Sequence, residues 1–163
     1  MTILVIMRHA IAGRGGRDFD LPLERRGREQ AALQAQRMKE AVGTIDLAIT
    51  SGAARTLQTL EALRAGGLEV EREIEIGSLY AGSWREVVEQ VQAVPADTSS
   101  ILIIGHEPTV SVMTAMLSKQ DTANIGHLSF GFSAAQFVWG TVDEWATLGT
   151  DTFSVQGVQR PAM

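Results

Sequence analysis

The chain has 163 residues with 45% apolar and 20% charged side chains, the composition of a globular protein built on one domain, residues 1–163, and not that of a disordered or fibrous chain. Fourteen Lys and Arg against nineteen Asp and Glu leave a net charge of −5, which argues against broad binding to nucleic acid or to an anionic membrane and confines any phosphate site to a local basic cluster. The absence of cysteine excludes disulfides, thiolate nucleophiles, iron–sulfur clusters and Cys-ligated zinc.

Residues 2–7 (TILVIM) form a short β-branched run, the pattern of a strand buried on both faces, and it stops at Arg8-His9. Five apolar residues followed by two polar ones are too few for a signal-peptide core or a membrane span, so the expected location is the cytoplasm. Residues 13–20 (GRGGRDFD) read as a loop whose Arg14 and Arg17 are candidate substrate contacts on the rim of the site. Residues 24–42 carry apolar positions at helical spacing and end at Gly43, and residues 45–50 (IDLAIT) are a second buried strand. Ser51 is the expected N-cap of a second helix over 53–65. Residues 68–76 alternate apolar and acidic residues, as a more exposed edge strand does, and a third helix over 84–94 stops before Pro95. Residues 100–104 (SILII) repeat the buried-strand pattern and run into Gly105-His106, after which 109–117 is a fourth helix. Late strands are expected over 128–132, 136–142 and 152–158. The three tryptophans, Trp84, Trp139 and Trp145, read as packing residues.

Strands alternating with helices predict a three-layer α/β/α sandwich with a mostly parallel central sheet. In such sheets ligands bind beyond the carboxyl ends of the strands. Arg8-His9, Thr50-Ser51 with Arg55, and Gly105-His106 all fall at such ends, which brings two arginines and two histidines to one edge. Paired arginines clamp a dianionic phosphate through bidentate hydrogen bonds, and helix N-termini add N–H donors. A neutral imidazole is a competent nucleophile toward phosphorus, and phosphoryl transfer requires positioning and electrostatics above all.

These residues resemble the histidine phosphatase superfamily, which includes phosphoglycerate mutases and histidine acid phosphatases. Met7-Arg8-His9-Ala10 is similar to its Arg-His-Gly signature. Asp18 to Leu23, Arg26-Gly27 and Gln30-Ala31 resemble the Asp-x-x-Arg-Pro-Leu-Thr-x-x-Gly-x-x-Gln-Ala stretch of the small SixA-like phosphohistidine phosphatases. Residues 50–59 are similar to that branch's Ser-Pro-x-x-Arg-Ala-x-Gln-Thr, and Gly105-His106-Glu107-Pro108 to its Gly-His-x-Pro. The chain departs at Ala10 for glycine, Leu21 for arginine, Glu24 for threonine and Gly52 for proline.

The resemblance implies a phosphoglycerate mutase-like fold and a phosphatase in which His9 is the phosphorylated nucleophile, Arg8 and Arg55 hold the phosphoryl oxygens, and His106 completes the pocket. It implies no metal and no organic cofactor. The implied substrate is phosphohistidine on another protein, or else a small phosphorylated molecule. Larger members carry an acid after the third strand, where this chain offers Glu75 or Glu73. A phosphoramidate has least need of that acid, because imidazole leaves more readily than an alkoxide. The rival readings are a small-molecule phosphoesterase, a non-catalytic phosphate-binding module, and a zinc hydrolase using His9, His106 and His127.

Overall fold

A computed structural model describes residues 2–120 and 131–161. Six strands form one sheet: β1 (Thr2–Arg8), β2 (Ile45–Thr50), β3 (Val70–Glu75), β4 (Ser100–Gly105), β5 (Phe137–Val142) and β6 (Ser154–Gln159), in the spatial order β3-β2-β4-β1-β5-β6. The first four in that order run parallel, whereas β5 pairs antiparallel with β1, and β6 with β5. The sheet is therefore mixed, with the parallel part carrying the buried runs read from the sequence. The helices are α1 (Arg25–Val42), α2 (Ala54–Ala65), α3 (Ser78–Ala81), α4 (Trp84–Gln92) and α5 (Thr109–Leu117).

Period-two alternation divides the core between the two sheet faces. Val5, Met7, Ala48, Leu102 and Ile104 pack against Ala31, Ala35 and Met38 of α1 and Leu60 and Leu63 of α2. Leu4, Ile6, Leu47, Ile49, Ile101 and Ile103 pack against Val87 and Val91 of α4 and Val110 and Met113 of α5. Helices thus cover both faces. The chain winds outward from β1 to β3 through α1 and α2, then returns to β4 through α3 and α4, as right-handed parallel crossovers require. Trp145 is buried, while Trp84 and Trp139 pack against the core from its margin.

Several element boundaries differ from the sequence reading, each for a local reason. The third expected helix ends at Gln92, and the short α3 precedes it. The 13–20 loop closes with one 3-10 turn over Asp18–Asp20, and Ala12 bridges Leu23 across its base. Of the strand expected over 128–132, residues 128–130 lie outside the described residues, and Gly131 and Phe132 are not in a strand. Edge strand β3 is exposed along most of its length, as its alternating glutamates predict.

Gly27 shows why the motif of residues 18–31 carries a glycine there. A Cβ at this position would lie 2.2 Å from the backbone oxygen of Ile11 and 3.0 Å from its nitrogen and carbonyl carbon, because the first turn of α1 packs directly on the segment that follows His9. Alanine normally stabilises a helix relative to glycine by about 1 kcal/mol. Here the sign reverses, and Gly27→Ala is expected to destabilise by about 3 kcal/mol through overpacking against backbone. Thermal unfolding checks this, and a melting temperature at or above that of the wild type would refute the close-packing explanation.

Candidate active site

Strand register places the site. Arg8 pairs with Gly105 across β1 and β4, and Thr50 pairs with Ile104 and with Glu75, so all four parallel strands end on one edge. His9, Ser51 and His106 each follow a strand end directly. The main chain at His9 is clamped, its N–H donating to the Gly105 carbonyl and its carbonyl accepting from the N–H of Ala135. Ala10 is fully buried and donates its N–H to Thr59 Oγ1 on α2, which joins the residue after the histidine to the helix that carries Arg55.

The His9 and His106 rings lie 5.3 Å apart between centroids and are 9% and 8% exposed. His9 Nδ1 is 2.7 Å from the Ala10 carbonyl oxygen. A carbonyl only accepts, so Nδ1 carries the hydrogen and Nε2 keeps its lone pair. Nε2 makes no hydrogen bond among the described residues. His106 Nε2 lies 2.7 Å from Ser51 Oγ, a shorter contact than the 3.2 Å between Ser51 Oγ and Thr56 Oγ1. Thr56 gives its own hydrogen to the Ala53 carbonyl. The contacts are met with Ser51 donating to His106 Nε2, an arrangement that places the ring hydrogen on Nδ1, a buried atom with no partner among the described residues. Such an atom is a donor awaiting an acceptor.

Burial holds both rings down at about 4, with the Arg55 and Arg8 guanidinium groups acting in the same direction, and the two histidines are neutral at pH 7. Arg8 donates Nη1 to the Phe132 carbonyl at 2.9 Å, while its buried Nε has no partner among the described residues. The Phe132 N–H and the Ser111 N–H both donate to the Glu107 carboxylate, which joins the loop after His106 to the carbonyl that holds Arg8. Arg55, whose side chain is 11% exposed, donates Nη1 to the Asp18 carbonyl at 2.7 Å and Nη2 to the Asp18 carboxylate at 3.2 Å.

The four residues Arg8, His9, Arg55 and His106 are thus gathered at one strand edge as the sequence pattern requires. Glu75 ends β3 at the same edge, its Oε1 2.7 Å from where a Cβ on Gly52 would stand. Gly52 has φ +86°, a conformation closed to the proline of the related motif. Ser51 does not cap α2 as expected. Ala53 occupies that position, and the Ser51 hydroxyl turns instead to His106 while accepting from the Ala53 N–H. Glu73 pairs with Arg64 at 2.9 Å, away from the strand end. Arg14 is exposed on the loop, and Arg17 is exposed and reaches Asp20 at 3.8 Å, so neither is drawn into the histidine pair. His127 lies outside the described residues, and among the described residues no group of three or more His, Asp or Glu is placed to hold a metal ion. No helix of the described residues is long and apolar enough to cross a membrane. An acidic cleft of about 370 Å³ lined by Glu75, Glu86 and Glu89 opens beside β3, and its charge disfavours a phosphoryl group there.

Two site residues had no assigned role in the sequence reading. Asp18 lies 37 residues from Arg55, and Tyr80, the only tyrosine, donates its hydroxyl to the same Asp18 carboxylate at 2.6 Å. Being the sole tyrosine, three residues beyond Gly77 and just past the third strand, was the one available signal for Tyr80.

Comparison with known proteins agrees with this geometry. The family model of the histidine phosphatase superfamily (branch 1) matches residues 4–102. A Nakamurella multipartitia protein assigned as phosphohistidine phosphatase SixA is 32% identical, with 99% of this chain and 97% of that chain covered and a TM-score of 0.86. The protein histidine phosphatase SixA complexed with tungstate shares the fold at a TM-score of 0.78 and 22% identity, over 98% of this chain and 97% of that one. An uncharacterised Mycobacterium tuberculosis protein is 28% identical over 95% of this chain and 99% of its own length.

Proposed function

The chain belongs to the histidine phosphatase superfamily, branch 1, within its SixA-like group, and is a phosphatase; from that premise we propose that it transfers a phosphoryl group from phosphohistidine on another protein to His9 and then to water. The observation that carries this reading is the His9 ring itself, neutral, with Nδ1–H committed to the Ala10 carbonyl and Nε2 open at the strand edge beside two arginines.

Nε2 attacks phosphorus, and the incoming dianion is held by Arg8 Nε, which is without a partner among the described residues, and by Arg55 N–H groups, with the His106 Nδ1 hydrogen on a further oxygen. These donors are fixed before substrate arrives, so little reorganisation is needed as charge develops. Phosphorylation makes the His9 ring cationic, and the Ala10 carbonyl accepts from its Nδ1–H throughout. Water then takes the phosphoryl group and His9 returns as the neutral imidazole. Glu75, exposed at the end of β3, is the candidate acid for an alkoxide leaving group, and a small phosphoester is the second reading.

The test is rapid acid-free quenching during turnover of a phosphohistidine-bearing protein in the presence of chelator, followed by mapping of the phosphoryl group. Base-stable, acid-labile phosphate on His9 is the expected result. Phosphate on another residue, or turnover restricted to alkyl phosphates, would overturn the proposal.

A further inference from the structure

We propose that Asp18 is a specificity-determining residue that selects a planar leaving group carried as a cation while it is still bonded to phosphorus. Its carboxylate pairs with the protonated ring of the phosphorylated imidazole while Phe19 and Tyr80 supply an aromatic wall. The inference rests on the reading of His9 as nucleophile toward a phosphoramidate and goes beyond it by assigning recognition of the leaving group.

In-line displacement puts the leaving group opposite the nucleophile. His9 and His106 form the buried floor of the site, so a phosphoryl group seated on them turns its leaving group outward to the rim. The rim consists of Asp18, 63% exposed at its side chain, Phe19, 39% exposed, and Tyr80. The rings run in a chain from floor to mouth. His9 is 5.3 Å from His106, His106 is 5.4 Å from Tyr80, and Tyr80 is 5.0 Å from Phe19, the last two pairs edge to face. An exposed Phe beside an exposed carboxylate suits a flat cation, for which an aromatic face and a negative charge act together.

Asp18 is ionised at neutral pH, because the Tyr80 hydroxyl and then Arg55 hold its carboxyl below the usual carboxylate range. An ionised carboxylate cannot donate a proton, so Asp18 is not the missing acid. It accepts hydrogen bonds from Tyr80 and Arg55 and retains further lone pairs for a third donor. Beside a departing alkoxide this charge is repulsive. Beside a phosphorylated imidazole protonated on its other nitrogen it is attractive, and it increases the share of bound substrate in that form. The His9 Nε2 lone pair forms the new N–P bond, and the substrate's P–N bond breaks with its electron pair left on the ring. That ring, keeping the proton it already carries, departs as neutral imidazole, so no proton from the enzyme is required.

Asp18→Asn separates this role from the support of Arg55, because the backbone carbonyl that accepts from Arg55 Nη1 remains. Phosphoimidazole and p-nitrophenyl phosphate are the probes, since nitrophenolate leaves without a proton. In Asp18→Asn the ratio of kcat/KM for phosphoimidazole to that for p-nitrophenyl phosphate is expected to fall about tenfold, any loss transmitted through Arg55 being common to both probes. Phe19→Ala, which removes exposed surface, is expected to move the ratio the same way. Equal losses on both probes, or a ratio unchanged in either variant, would overturn the inference. The single tyrosine reports the contact. Its phenol titrates above the ordinary value because of Asp18, and alkaline absorbance titration should return toward 10 in Asp18→Asn. A wild type active on p-nitrophenyl phosphate but on no phosphoramidate refutes the phosphohistidine reading and this inference together. A wild type active on both, with an unchanged ratio in the variants, refutes the inference alone.

Discussion

His9→Ala is expected to lower kcat on phosphohistidine and on p-nitrophenyl phosphate by on the order of 10⁴-fold or more, as loss of a covalent nucleophile does when the rest of the pocket remains. The fold should survive. The ring's one hydrogen bond is to the carbonyl of the next residue, while the bonds that place this segment are made by the backbone: His9 N–H to Gly105, and Ala135 N–H to the His9 carbonyl. Truncation leaves those intact and relieves the burial of a polar ring whose Nε2 has no partner among the described residues, so the melting temperature should match or exceed that of the wild type. Steady-state kinetics with thermal unfolding decides the matter. Activity within tenfold of the wild type would show that another group attacks phosphorus. Because the pocket acts as a unit, adding Arg55→Ala to His9→Ala should lower the rate far less than Arg55→Ala does alone.

The second large effect is acid destabilisation. The two histidines at the strand edge titrate at about 4 in the folded protein and near 6.5 when unfolded. Below 6.5 the unfolded chain takes up protons that the folded one refuses, so the stability contributed by the two neutral rings is present in full above that pH and is lost as pH falls from 6.5 to about 4. A depression of that size corresponds to roughly 3 kcal/mol for each ring, a large fraction of the stability of a domain this size. Denaturant titrations at pH 7.5 and 5 should therefore differ by several kcal/mol, and the difference should shrink in His9→Ala. In the folded protein the ring resonances of His9 and His106 should hold their neutral positions through pH 6.5. A midpoint near 6.5 for either ring would show that the pocket is wetter than its geometry implies.

Much of the candidate site was legible in the chain because each part is local. A buried strand is a short β-branched run, the residue after it lies at the sheet edge whatever the topology, and so Arg8-His9, Ser51 with Arg55, and Gly105-His106 can be placed from the sequence. The split of the core into two faces also follows from period-two alternation within each strand. The resemblance to the SixA-like motifs rests on those same local stretches.

What depends on pairing over long separations could not be read this way. Ser51 satisfies the sequence pattern of a helix N-cap, yet its hydroxyl is used 55 residues away on His106, and only the packed sheet shows which partner wins. Asp18, Arg55 and Tyr80 come from the loop after β1, from α2 and from α3, which meet only because the sheet ends β1, β2 and β3 on one edge. Arg8 reaches the Phe132 carbonyl across 124 residues, held there by Glu107. By itself, then, the sequence determined which chemical groups stand at the strand ends, because alternation and strand length are properties of consecutive residues. The partner of the His106 ring and the rim of Asp18, Phe19 and Tyr80 were decided by the tertiary structure, because those contacts join atoms that are neighbours only once the sheet has closed.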